Sequence, residues 1–375
     1  MTWIHRLIKA VSSFGLYVRT RLGAYLPVVA LLVPVVVLAL LLAGYGLWWR
    51  LLADRVRETV VTLQAEQRTL GRNLDWDSLE ISGFPYLVDA TMTKAKLLAP
   101  DTGAAWDGER IVVSMKPLSL NTISFSLEGE QHFFYVGEGR WIEADARADK
   151  ALVKASSRDT SQTISTRLER LTGKGKFDAS DFNFIVEDAS AVITLSAPNG
   201  QEALPRFDLS SQIKNVALQG NLELPLGSAI EMLALDVGVK LPAKLPVATS
   251  AAVVAAWRQT GTPIDIRRFE LEWGGISIAA VGEIKFDARN LPEGRLRLTL
   301  GNHPRILELL EVNGWISRET RSAATPVLDV LAFVSGDPKR RVTVPLRFEN
   351  GDVYLGPARV MTMQPPAPVP SNFIP

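Results

Sequence analysis

The stretch "RFENGDVYLG" spans residues 347–356 and decides how the rest of the chain is read. Asn350-Gly351 is the pair that a two-residue type I′ turn demands, because both central positions need positive φ, and apolar residues alternate with polar ones on either side. Folding about that turn sets Glu349 opposite Asp352, Phe348 opposite Val353 and Leu346 opposite Leu355. The apolar partners then share one face and the acids stay at the hairpin end. The same period of two runs through Ile111, Val113 and Met115, through Ile123, Phe125 and Leu127, and through Leu296, Leu298 and Leu300. "WGGIS" (273–277) places Gly-Gly between two more such runs, the second carrying Ile276, Ile278, Ala280, Ile284 and Phe286. The expectation is a mainly β, α+β body over 74–363: a long, curved, antiparallel sheet with short helices at 227–235, 250–259, 304–311 and 323–334. A division near 240–250, "KLPAKLPVATS", fits either a linker or a loop within one sheet, and the five prolines after Gln364 predict an unstructured tail over 364–375.

Inside this body "ISGFPYLVDATM" (81–92) resembles a strand that has been broken. Gly83 would permit a sharp bend, Pro85 would end ladder pairing because it has no N–H, and Phe84 with Tyr86 would plug an end of the sheet. As a motif, Phe84, Pro85 and Tyr86 are the candidate ligand-binding residues.

Upstream, residues 26–49 run 24 positions without a charge. At about 1.5 Å per residue they reach about 36 Å, enough to cross a hydrocarbon core of about 30 Å. Their length and poor small-residue site argue against a cleaved signal peptide. Tyr45, Trp48 and Trp49 form an interfacial belt at the far end. The leader, 1–25, holds Arg6, Lys9, Arg19 and Arg21 with no acid, which predicts a cytoplasmic N-terminus and the bulk of the chain across the membrane. Trp3, Leu7, Val11, Phe14 and Val18 have helical spacing within it, suiting either an amphipathic surface helix or a flexible leader. Residues 50–73 carry Leu52, Val56, Val60, Leu63, Gln67 and Leu70 at spacings of three and four and read as a helical stalk.

Chemistry is marked mostly by absence. No cysteine is present, which removes thiolate metal sites and thiol nucleophiles, and three histidines (His5, His132, His303) leave little for a triad or zinc site. His132 has Glu128, Glu130 and Glu138 nearby in sequence, in a spacing that fits a solvated hairpin better than a metal. His303 precedes Pro304 and reads as a capping or surface residue. Ser211 and Lys214 match an acylase spacing but lie in a strand-like segment. The pairs Asp75/Asp77 and Glu143/Asp145 carry nothing that separates an acid from a base, and Lys339–Arg341 reads as a solvated turn. Beyond the leader, 37 basic residues face 40 acidic ones, so the body is not a nucleic-acid binder by charge. The expectation is no catalytic residue, no metal and no cofactor: a binding or structural protein rather than an enzyme.

"LEISGFPYLVDATMTKAKL" behind a membrane helix, with Trp76 before it and Trp106 after it, resembles the domain of unknown function 2125, a family of uncharacterised Gram-negative envelope proteins. "WGGISIAAVGEIKFDARNLPEGRLRLTLGN" and "LRFENGDVYLGPARV" resemble that family's hairpins, so the likeness covers about 26–360. Leu87 stands where a basic residue is expected after the tyrosine, and no polar role is carried over to it. The family is similar in style to the AsmA-like group of single-span inner-membrane proteins with long periplasmic sheets. The resemblance implies an inner-membrane protein with a periplasmic body that binds or transfers lipid in a hydrophobic groove, in envelope maintenance, with Phe84 and Tyr86 at the mouth of that groove. The alternative is an assembly factor acting on envelope proteins through a sheet edge or the proline-rich tail, and a hydrolase is the remote third.

Overall fold

A computed structural model describes residues 2–363 apart from 138–139, 179, 199–203, 221–223, 243–256, 259, 290, 336, 338–340 and 357, with side chains from residue 35 onward. Residues 243–250 of the proposed division at 240–250, the tail at 364–375 and all but two positions of the helix expected at 250–259 lie outside the described residues. About 60% of the chain is strand, built as one long, curved, antiparallel sheet.

Helix α1 (Thr2–Thr69) leads into the sheet. Among the described residues sixteen strands follow: β1 (Asn73–Asp75), β2 (Ser78–Ser82), β3 (Val88–Ala99), β4 (Ala104–Lys116), β5 (Ser119–Gly137), β6 (Arg140–Arg158), β7 (Ser161–Phe177), β8 (Ser180–Ser196), β9 (Arg206–Gly220), β10 (Ala229–Lys240), β11 (Ile264–Trp273), β12 (Ile276–Phe286), β13 (Pro292–Gly301), β14 (Val342–Glu349), β15 (Asp352–Leu355) and β16 (Ala358–Thr362). Each pairs with the next, save that β1 and β2 both pair with β3 along one edge. Helices α2 (His303–Val312) and α3 (Arg318–Val334) interrupt the meander between β13 and β14.

The hairpin at 350–351 has the expected register, with Glu349 opposite Asp352, Phe348 opposite Val353 and Leu346 opposite Leu355. Asn350 and Gly351 take φ of 55° and 87°. The expected helix at 227–235 is instead strand β10. "AIEMLAL" is rich in helix formers, but β10 pairs along its length with β9 on one side and β11 on the other, and ladder bonds override local propensity. The helix expected at 323–334 begins at Arg318, because Ser317 accepts a hydrogen bond from the Thr320 amide and starts the helix earlier.

One line of irregularity crosses β3 to β10. Lys94 and Glu109 are skipped between β3 and β4, Asp149 and Arg170 between β6 and β7, Glu187 and Asn215 between β8 and β9, and Glu231 next to them on β10. Alternate strands place a left-handed residue on this line: Lys94 (φ 47°), Gly129 (φ 77°), Arg170 (φ 44°) and Asn215 (φ 51°). Register is unchanged across this crease in the pairs just named and shifts by one residue, as at a β-bulge, between β4 and β5 and between β5 and β6. The unpaired backbone groups of the skipped residues need water, which is why all seven are polar and exposed.

The stalk segment lies against the sheet rather than standing free. Trp49, Leu52, Ala53, Val56, Val60, Gln64 and Gln67 form the covered stripe of α1, whereas Leu63 and Leu70 from the expected stripe point outward at 45% and 61% exposure. An ion pair at 2.6 Å between Arg72 and Asp101 ties the helix exit to the β3–β4 turn. The 35 residues from Val35 to Thr69 are long and apolar enough to include a membrane span, which fits a single-pass anchor.

Candidate functional site

Strand register aligns apolar side chains into rows across the sheet. Partnered residues in an antiparallel ladder share a face, so one row runs Val88, Met115, Ile123, Ala155, Ile164, Ile193, Leu209, Val237, Ile266, Gly282, Leu296, Leu346 and Leu355. It contains no polar side chain. The adjacent row, from Ile81 through Val113, Phe125, Leu235 and Leu298 to Val344, carries only Thr166 and Ser211 as polar members. At about 4.8 Å between strands, twelve steps make an apolar lane some 58 Å long. On the opposite face Ser114, Ser124, Lys154, Ser165 and Ser210 lead to Asp236, interrupted by Val192.

Helices close the lane at its two ends and leave its middle open. Where α1 lies against β1–β3, Val88 and Ala90 are fully buried. At the other end Ile306 and Leu307 of α2 and Leu328 and Ala332 of α3 pack on Ile276, Leu300, Val342 and Val344. His303 accounts for part of that closure: it is 4% exposed, and its Nε2 lies 3.0 Å from Asp329 Oδ1, tying α2 to α3. It is a buried tether and not the capping or surface residue expected. Between the covered ends Ile164 is 46% exposed. There Leu120, Ile123, Ala155, Ile164, Ile193, Leu195, Phe207 and Leu241 line an apolar cavity of about 740 Å³.

Phe84, Pro85 and Tyr86 occupy the β2–β3 turn, on the neighbouring hairpin, and are not among the residues lining that cavity. Gly83 takes φ 97°, and a Cβ there would meet the Leu87 carbonyl oxygen at 2.9 Å, so the bend requires glycine. Pro85 follows a cis peptide bond. Phe84 meets Trp49 edge-on at 5.4 Å between centroids, and Tyr45 at 6.2 Å. The Trp49 indole N–H donates to the Leu87 carbonyl at 2.8 Å and the Tyr45 hydroxyl to the Pro85 carbonyl. Tyr86 is 83% exposed and plugs nothing among the described residues. Sequence spacing could not reveal these contacts, since their partners lie about 40 residues apart.

The other candidates separate. His132 turns to carboxylates across the ladder rather than to Glu128 or Glu130: its Nδ1 lies 2.6 Å from Asp145 Oδ1 and its Nε2 3.5 Å from Glu143 Oε1. The hydrogen bond to Asp145 raises its pKa above the ordinary imidazole value, aided by the charges of Asp145, Asp107 and Glu143 against partial burial. Ser211 and Lys214 lie three apart on β9 and so project to opposite faces. Asp75 accepts from Gln64, while Asp77 pairs with Lys94 at 3.0 Å, so these two acids serve different partners. Among the described residues no group of three His, Asp or Glu is placed to hold a metal.

Residues 49–364 match the family described as "Uncharacterized protein conserved in bacteria (DUF2125)", and the chain belongs to it. Neither a curated protein nor a solved structure matches the chain.

Proposed function

We propose that this member of the domain of unknown function 2125 family is anchored in the inner membrane by α1, carries its sheet on the periplasmic side, and binds or transfers lipid along the apolar lane. The observation that carries the reading is the row from Val88 to Leu355, thirteen strand positions without a polar side chain and open in the middle. An apolar surface of that length needs a cover, and water is the worst one. Each buried methylene contributes about 0.8 kcal/mol, so an acyl chain of some 14 carbons gains about 11 kcal/mol before the cost of ordering it. No catalytic group is required for such binding. The apolar Leu26-to-Trp49 run and the basic leader support the orientation.

A photo-crosslinking amino acid at Ile164 in the full-length chain, expressed in cells fed labelled phosphate, tests this directly. The expected product is a phosphate-bearing lipid adduct at Ile164 and none at Lys154 on the opposite face. Equal labelling at both positions, or none at either, removes the lipid reading. A protein adduct at Ile164 in its place favours the second reading, an assembly factor that holds another envelope protein on the same lane.

A further inference from the structure

Two hairpin tips at one end of the sheet present large apolar side chains to solvent. Phe84 and Tyr86 in the β2–β3 turn are 57% and 83% exposed, and Leu118 in the β4–β5 turn is 84% exposed. Register sets the tips side by side, because Val88 at the start of β3 pairs with Met115 near the end of β4, and Lys116 pairs with Ser119 across the second turn. A separate observation fixes their depth. Tyr45 and Trp49 end the uncharged run directly before Arg50, and aromatic residues at the end of a spanning helix sit at the headgroup level. Both rings touch Phe84, and both hold carbonyls of its turn. Phe84 is therefore at the level of the belt.

We propose that the β2–β3 and β4–β5 tips form a second membrane contact, in which Phe84, Tyr86 and Leu118 enter the headgroup region of the bilayer that α1 crosses. The partner is the lipid surface itself. The proposal rests on α1 being a membrane span and stands whether or not the lane carries lipid. Burying the three side chains in the interfacial region removes from water the apolar surface that the fold leaves bare. Exposed Lys116 beside Leu118 adds a cation for anionic headgroups. A lone helix is free to tilt, whereas a helix plus a row of tips sets the angle of the sheet to the membrane. Leu120, two residues from Leu118, lines the 740 Å³ cavity, so this angle would open the cavity at the bilayer surface.

The chain contains no cysteine, so the single variants Y86C and L118C each accept one spin label in the full chain, reconstituted in vesicles of phosphatidylethanolamine and phosphatidylglycerol. T102C, in the β3–β4 turn at the opposite end of the sheet, is the reference. Labels at 86 and 118 are expected to collide more with oxygen than with a water-soluble nickel chelate, with the reverse at 102. Nickel accessibility equal at all three positions overturns the proposal. Protection from both reagents at 86 and 118 overturns it too, since a second copy or another protein would then cover the tips. Tyr86 and Leu118 are each more than four-fifths exposed, so a label at either displaces no packing, and two hairpins give two independent readings. Loss of the Ile164 lipid adduct with the depths retained would remove the lipid reading alone.

Discussion

Trp49 and Leu87 stand 38 residues apart in the chain and are joined by a 2.8 Å hydrogen bond from the indole N–H to the carbonyl oxygen. The bond, with the Phe84 ring against the same indole, docks the exit of the apolar helix onto the first hairpin of the sheet.

Replacing Trp49 by Phe keeps an aromatic surface and deletes the donor, at a cost of about 0.5–1.5 kcal/mol. Trp49→Ala also loses the ring contact and should cost about 2 kcal/mol more. Combined with Phe84→Ala, the double variant should be less damaging than the sum of the singles by about 0.5–1.5 kcal/mol. Loss of the sheet signal in far-ultraviolet circular dichroism of the detergent-solubilised chain measures all four proteins. Strict additivity would show the two rings to be neighbours without mutual stabilisation.

The crease makes an opposite kind of prediction, a stabilising one. Arg170 holds φ 44° on β7, where a side chain costs about 1–2 kcal/mol that glycine avoids. Its ion pair with Glu187 spans 3.7 Å at 63% exposure, and exposed pairs contribute about 0–1 kcal/mol. Relief of strain wins, so Arg170→Gly should stabilise by up to about 1 kcal/mol, while β-branched Arg170→Val should destabilise by about 1–2 kcal/mol. Thermal melts of both variants decide it. A lower melting temperature for Arg170→Gly would mean that the arginine contributes more than its conformation costs.

What the sequence disclosed and what it hid divide along physical lines. The Asn350-Gly351 turn and the alternation around it are local, and local chemistry set their register residue by residue. The meander was legible because most strands announce themselves by a period of two. The crease was hidden, since Lys94 and Arg170 are not residues that mark positive φ, and only the alignment of eight strands shows that their irregularities form one line. The apolar lane was visible as separate alternating runs but not as one lane, which requires the register of every pair. The partners of His132 and His303, Asp145 and Asp329, were hidden for one reason: they are set by ladder and helix packing and not by neighbours in the chain.

Closure of the lane by α2 and α3 rests on a few buried contacts. Leu328 is 4% exposed, packed with Ile306, Leu300 and Val342, whereas Val330 on the same helix is 61% exposed. Leu328→Ala should destabilise by about 2–4 kcal/mol and Val330→Ala by about 0.5 kcal/mol or less. Hydrogen exchange should localise the Leu328 effect to α2, α3 and β12–β14 and leave β5–β8 protected. Uniform loss of protection would show instead that the sheet unfolds only as a whole.

The His132 cluster predicts how stability follows pH. Its hydrogen bond to Asp145 raises the imidazole pKa in the fold above its ordinary value near 6.5, so the protonated form is the one that the fold favours. That contribution is complete below the unfolded value and disappears as pH rises through the folded one. Lys174 lies 3.8 Å from Asp145 and competes for it, and the His132 side chain is 34% exposed, so solvent screens the effect. His132→Gln should therefore lower the melting temperature more at about pH 5.5 than at about pH 8.5. Asp145→Asn should remove most of that difference, and salt near the molar range should shrink it. An equal shift at both pH values would assign His132 a packing role with no part for its charge.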